Sequence, residues 1–215
     1  LDGKLQYQLA IFQAKFTNKM TSIAVPLDSV TTDYTYIANS GGQTDNGLEV
    51  LVKYNAFESN TAFFSLVRPW ANFTYSDFTY DNFSYESVPR GETQAVSEVY
   101  DGNAVAGVAP VVFNLGVDAT TRLGIYGNVN FNYRDEMPIT SDGAFMAKSY
   151  SLLNAKVGYR KTLGKHFDVD LFAGANNITG SQYYYMIFVN QLNDAYLPAP
   201  YEINFFGGLN VKYVF

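Results

Sequence analysis

His166 is the one side chain in this sequence that could act as an imidazole acid, base or ligand near neutral pH, and no cysteine is present to supply a thiolate. It stands beside a predicted turn at Gly164-Lys165, without a Ser or Asp constellation to complete a catalytic set. No enzyme chemistry, resident metal or cofactor is therefore expected. Residues suited to binding are plentiful. Tyr75, Tyr80 and Tyr85 fall in one aromatic stretch and Tyr183, Tyr184, Tyr185 and Phe188 in another. Such rings offer rigid area with a polar tip, fit to stack on a sugar or a planar chelate, and equally fit to form an interface girdle or to pack within a loop. Asp77, Asp81, Glu86, Glu92 and Asp101 make the first stretch acidic but lack the dense spacing of a calcium loop, and read as solvated acids. A second polar set, Arg122, Asn128, Asn130, Arg134, Asn154, Lys156 and Arg160, recurs at every second position of longer segments.

That spacing points to the elements that must carry these residues. From Leu123 to Tyr133, Leu123, Ile125, Gly127, Val129, Phe131 and Tyr133 share one face, and Arg122, Tyr126, Asn128, Asn130, Asn132 and Arg134 the other. Val111, Phe113, Leu115 and Val117 oppose Asn114 and Asp118 in the same way, as do Leu153, Ala155, Val157 and Tyr159 against Asn154, Lys156 and Arg160. No stretch keeps apolar residues at helical spacing. The reading is all-β, with eight strands at about 4–22, 36–57, 62–79, 108–119, 121–135, 147–162, 166–179 and 202–215. Pro69-Trp70 inside the third predicts a bulge, because proline cannot donate to a ladder.

Composition narrows the setting. The 215 residues are 47% hydrophobic and only 16% charged, where about a quarter is usual, and 17% aromatic through 18 Tyr, 17 Phe and one Trp. A net charge of -6 argues against a phosphate-binding surface, which excludes nucleic acid as a partner. With no apolar run long enough for a transmembrane helix, a membrane would be met by strands, and aromatic girdles suit a barrel there. Alternation alone fits a membrane barrel or a soluble sandwich. The connectors discriminate. They are tight at Glu58-Ser59-Asn60, Ala119-Thr120 and Gly164-Lys165, and long at 23–34, 80–107, 136–146 and 180–201. Strict alternation of short and long is the pattern of short periplasmic turns and longer extracellular loops, so the first strand rises outward and the eighth descends. The Asn-x-Ser/Thr triplets at Asn72, Asn82 and Asn177 read as coincidental.

Four local motifs then carry a resemblance. Asn39-Ser40-Gly41-Gly42 precedes Gly47-Leu48-Glu49-Val50, and Asp101-Gly102-Asn103 precedes Pro110-Val111-Val112-Phe113-Asn114-Leu115. Asn176-Asn177-Ile178-Thr179-Gly180 is followed by Tyr183, Tyr184 and Tyr185, lacking the family's usual Phe-Asp pair, and Val211-Lys212-Tyr213-Val214-Phe215 closes the chain. In this order the motifs resemble the last third of the barrel of TonB-dependent outer-membrane receptors. The resemblance implies an antiparallel transmembrane β-barrel wall, the C-terminal eight strands of a 22-stranded plugged barrel. It also implies that residues 1–215 are one part of that barrel domain, with plug and earlier strands outside the chain, in keeping with a start at Leu1-Asp2-Gly3.

The functional expectations follow from that resemblance. The protein would be an active importer of a scarce nutrient (siderophore, metal chelate, cobalamin, glycan or peptide) in the outer membrane of a Gram-negative bacterium. Its partners would be membrane lipid and lipopolysaccharide, its own plug and remaining strands, the TonB complex, the nutrient and a surface lipoprotein. Tyr213 and Phe215 would signal to the barrel-assembly machinery. The inner polar set would hold the plug or line a substrate path. A passive porin or small complete barrel, and a secreted adhesive β-sandwich, remain as alternatives.

Overall fold

The computed structural model describes residues 3–27, 31–39, 41–88, 93–190 and 196–215. Eight long strands form one antiparallel sheet: β1 (Leu5–Phe16), β2 (Gly42–Tyr54), β3 (Phe64–Asp81), β4 (Val111–Thr121), β5 (Ile125–Arg134), β6 (Tyr150–Leu163), β7 (Phe167–Asn176) and β8 (Asn204–Tyr213). Each pairs with its successor, without crossover, and the two-residue strand Phe57–Glu58 adds to β3. At 10 to 18 residues these strands match or exceed the roughly 9–11 that a tilted strand needs to cross a bilayer.

Register converts the sequence alternation into two continuous faces. Val117, Val129 and Ala155 lie opposite one another across β4, β5 and β6, and Tyr159, Leu171 and Leu209 across β6, β7 and β8. This apolar face is open: Leu171 is 56% exposed and Leu209 61%. The buried hydrophobic side chains among the described residues lie in the loops and the loop ends of strands. A sandwich buries its apolar face under a second sheet about 10 Å away. Here the apolar face is the outer one, and the sandwich alternative falls. The sheet is also open at its ends, since β1 and β8 pair with β2 and β7 but not with each other. The eight strands therefore do not close on themselves as a small complete barrel.

The short connections lie at one end, at 55–63, 122–124 and 164–166, and four two-stranded hairpins rise from the other. These are Met20–Pro26 with Thr32–Asn39, Ser84–Ser87 with Val96–Val99, Met137–Pro138 with Met146–Ala147, and Tyr184–Ile187 with Tyr196–Pro198. They occupy the first to fourth long loops. Two sequence expectations are corrected, and a third is placed on one side of its strand. The first two strands, expected at 4–22 and 36–57, divide into wall and hairpin portions at the same level. Asn18 and Gly41 take positive φ (54° and 118°) on facing strands, and Asn82 (54°) does so where β3 leaves the wall. Gly41 is obligatory there, because a Cβ would lie 2.4 Å from the Asn82 carbonyl oxygen. The turn expected at Ala119-Thr120 sits at Arg122-Leu123-Gly124. Gly124 adopts φ 94° with no room for a Cβ, which would meet the Arg160 carbonyl at 2.2 Å. The bulge expected at Pro69 is present on the side facing Tyr54-Asn55-Ala56, three residues set against Arg68 and Pro69, while the β3–β4 ladder runs in register through Pro69 opposite Val117. Within the bulge the Ala56 amide turns back to the Tyr54 carbonyl at 2.9 Å.

Candidate functional site: inner face and loop canopy

Alternate residues place carboxamides side by side on the inner face. Asn72, Asn114 and Asn132 are directly opposite one another on β3, β4 and β5, and Asn130 faces Asn154 on β6. Asn114 Nδ2 donates to Asn72 Oδ1 at 2.6 Å, Asn132 Nδ2 donates to Asn114 Oδ1, and Asn154 Nδ2 donates to Asn132 (2.9 Å) and Asn130 (3.0 Å). A carboxamide carries both donor and acceptor, so the row links head to tail without charge. The Asn177 backbone amide extends it by donating to Asn154 Oδ1 at 2.9 Å.

Toward the short-turn end the face becomes charged. Arg68 pairs with Asp118 at 3.1 Å and Arg160 with Asp170 at 2.8 Å, and the Tyr126 hydroxyl donates to Asp170 at 2.7 Å. Lys156 Nζ sits 4.1 Å from the Phe172 ring centroid. Aromatic rings on this face lie flat for an identifiable reason. Phe12, Trp70, Tyr126, Phe172 and Phe206 each stand directly opposite a glycine: Gly47, Gly116, Gly158, Gly208 and Gly174. A Cβ on any of these glycines would meet the facing ring at 2.1–2.6 Å. Each ring covers backbone that glycine leaves bare, as an aromatic does for a glycine in a sheet.

The hairpins pack into a canopy. Ile23, Tyr80, Phe83 and Val105 form one buried cluster, with Tyr36, Ala38, Phe78, Tyr100 and Val108 against it. Met137, Ile139, Ala147 and Tyr184 form a second. Tyr36 Oη donates to the Glu86 carbonyl at 2.8 Å, which joins the first two loops. Asn177, only 1% exposed and at φ 51°, organises the fourth: its Nδ2 donates to the Ser181 and Tyr201 carbonyls (2.9 and 3.1 Å), and its Oδ1 accepts the Ser181 amide at 2.9 Å. Asn177→Ala strands these groups and puts alanine in a left-handed conformation, so the fourth loop is expected to lose about 1–3 kcal/mol of local stability. Limited proteolysis at 181–188 reads this out, and an unchanged cleavage rate would refute it.

The expected residues now have places. Asn128, Asn130, Asn154, Lys156 and Arg160 are on the inner face, and Arg134 is at the loop end of β5. Arg122 is not a wall residue: it lies in the turn Arg122-Leu123-Gly124, which falls a few residues later than expected, and its guanidinium donates to the Thr61 carbonyl at 2.9 Å. Tyr75 is on the outer face of β3, opposite Leu48 and Val111, where a girdle residue would be. Tyr80, 5% exposed, and Tyr184 are packed inside the canopy and support it from within. Burial raises the Tyr184 phenol above its ordinary pKa. Tyr183, Tyr185 and Phe188 lie on or beside the fourth hairpin, with Tyr183 and Tyr185 edge to face at 5.7 Å and Tyr185 64% exposed. Tyr85 is in the strand Ser84–Ser87. Of the loop acids, Asp81 pairs with Lys15 at 2.7 Å and Asp101 Oδ1 accepts the Asn82 amide at 2.6 Å. Glu92, like Ser40 of the first motif, lies outside the described residues. His166 is at a turn, its Nδ1 2.9 Å from the Val214 carbonyl and its ring stacked on Tyr213. Phe215 is fully exposed.

Sequence reading missed Asn72 and Ser141, treating the first as a chance triplet. Aligning strands by their apolar faces would have put Asn72 beside Asn114. Nothing local marks Ser141.

An open antiparallel wall, apolar outside and polar inside, with short turns at one end and packed hairpins at the other, is one arc of a large barrel. The family described as TonB dependent receptor-like, beta-barrel matches residues 1–178. The chain belongs to this family. The resemblance to TonB-dependent receptors thus holds, and the family is one of receptors, not enzymes. No curated protein matches the chain. Among solved structures, the siderophore receptor PiuA from Acinetobacter baumannii is similar, with 18% identity and a TM-score of 0.69 over 98% of this chain and 26% of that one. The ferric citrate transporter FecA in its unliganded form aligns over 98% of this chain and 29% of its own, at 17% identity and TM-score 0.68. The ferric-catecholate import receptor Fiu from E. coli K12 covers all of this chain and 26% of its own, at 16% identity and TM-score 0.62. The chain thus spans about a quarter of these receptors.

Proposed function

We propose that this chain forms wall strands and extracellular loops of a TonB-dependent importer in the outer membrane of a Gram-negative bacterium. The observation that carries the reading is the open, amphipathic eight-strand sheet: in hydrocarbon an unpaired edge costs several kcal/mol per group, by order of magnitude, so β1 and β8 need further strands to close a barrel. Strands and a plug domain outside the chain complete it. The plug rests against the inner polar residues Asn128, Asn130, Asn154, Lys156 and Arg160, and the TonB complex couples through a segment beyond them. Membrane lipid and lipopolysaccharide contact the outer face. Tyr213 and Phe215 serve as the assembly signal at the short-turn end, where Phe215 is free to be bound.

The ligand is a scarce nutrient captured outside, with the exposed rings of Tyr185 and its neighbours as contacts, and a surface lipoprotein could share that hairpin. Ferric chelates head the candidate classes because the similar solved structures are of a siderophore receptor and a ferric citrate transporter. Planar-bilayer conductance of the full-length protein separates the importer from a passive porin. A plugged receptor gives no steady conductance at modest voltage. Stable ohmic steps from the untreated protein would favour the porin.

A further inference from the structure

The canopy has a buried polar knot that its hydrophobic clusters do not explain. Ser141, in the third loop, is 4% exposed and uses every hydrogen-bonding group it owns. Its amide donates to Asn190 Oδ1 at 2.7 Å, and its carbonyl accepts from Asn103 Nδ2 at 3.1 Å. Its hydroxyl lies 3.0 Å from Asn190 Oδ1, 2.7 Å from Asn190 Nδ2 and 2.9 Å from Tyr80 Oη. One set of hydrogen positions satisfies all of these: Tyr80 donates to Ser141, Ser141 donates to Asn190 Oδ1, and Tyr80 accepts the Ala106 amide at 3.2 Å.

The four chain segments are far apart in sequence. Tyr80 belongs to β3, Asn103 and Ala106 to the second loop, Ser141 to the third and Asn190 to the fourth. Two backbone bonds run alongside: Gly107 N to Pro138 O at 2.8 Å, and Asn190 N to Ile139 O at 3.1 Å. Tyr80 shares the inner face of β3 with Asn72 and Arg68. The third and fourth loops, which leave the wall two or more strands away, must therefore lean over the inner face to reach it.

We propose that Ser141 and Asn190 are positioning residues which latch the described segments of the second, third and fourth loops to β3 as one cooperative unit. Buried polar groups that satisfy one another leave several unsatisfied when one is lost, so the knot resists partial opening. The coupling stands on packing alone. Only its consequence, that ligand contact at one loop is felt by the others, rests on the importer reading.

The test is amide hydrogen exchange on the full-length receptor in detergent, without ligand, so that it does not depend on transport. Ser141→Ala is expected to speed exchange at least tenfold at 96–107, 137–147 and 184–189 together, with β4 and β5 unchanged. Tyr80→Phe, which removes a hydroxyl with two partners in the knot where the Ser141 hydroxyl has three, is expected to act on the same three segments more weakly, and supplies the readout should the first variant fail to assemble. Faster exchange confined to the third loop, or to none, would overturn the latch while leaving the importer reading untouched.

Discussion

Val129→Arg is expected to destabilise the assembled barrel by about 2–4 kcal/mol, the cost of a guanidinium on the lipid face near the midplane. Val129 is midway along β5, flanked in register by Val117 and Ala155, and half of its surface is open on the outer face. An arginine there has no carboxylate neighbour and a long path to either interface. The control is Asn128→Arg, one residue away on the inner face, where the charge meets a polar environment and the change is expected to stay within about 1 kcal/mol. Denaturant unfolding of the full-length protein in lipid vesicles compares the two. Equal effects would mean that the exposed apolar face does not contact hydrocarbon.

Gly116→Val tests the flat-lying rings. Its Cβ would come 2.4 Å from Trp70 Cε2, a distance that no small backbone adjustment relieves, so the indole must swing off the wall into the lumen. Overpacking of this kind typically costs about 1–3 kcal/mol. Trp70→Ala alone loses the ring's cover over β4, but in the double variant the valine has space, so the two changes should be clearly non-additive, with coupling of about 0.5–3 kcal/mol. Simple additivity would sink the pairing. A functional corollary follows in the importer: a displaced indole narrows the space available to a plug, so ligand uptake is expected to fall further than stability alone accounts for.

Much of this was legible without coordinates, because a strand's side-chain period is two and the membrane imposes opposite chemistries on the two sides. Val129 against Asn128, and Leu171 against Asp170, announced strand, face and setting at once. Short turns and long loops in alternation, and four motifs in order, announced the family. The motifs also acquire physical reasons: Gly41 for its positive φ and its approach to Asn82, Gly47 for the Phe12 ring, Asn103 for Ser141, Asn177 for the turn that starts the fourth loop.

Other features depended on register and on which distant segments meet. Alternation cannot say whether an apolar face is inside a sandwich or outside a barrel, and only the exposed face and open edges of the assembled sheet decided that. Tyr80 and Tyr185 are the same residue type in similar aromatic stretches. One is locked against Ser141, sixty-one positions along the chain, and the other is open to solvent. Contacts of that sequence separation leave no local pattern, since they are selected by the shape of the folded loops. The local chemistry of the sequence thus determined strands, faces and family, while the tertiary structure alone decided which polar residues form the inner row, which aromatics are buried, and how the loops are tied together.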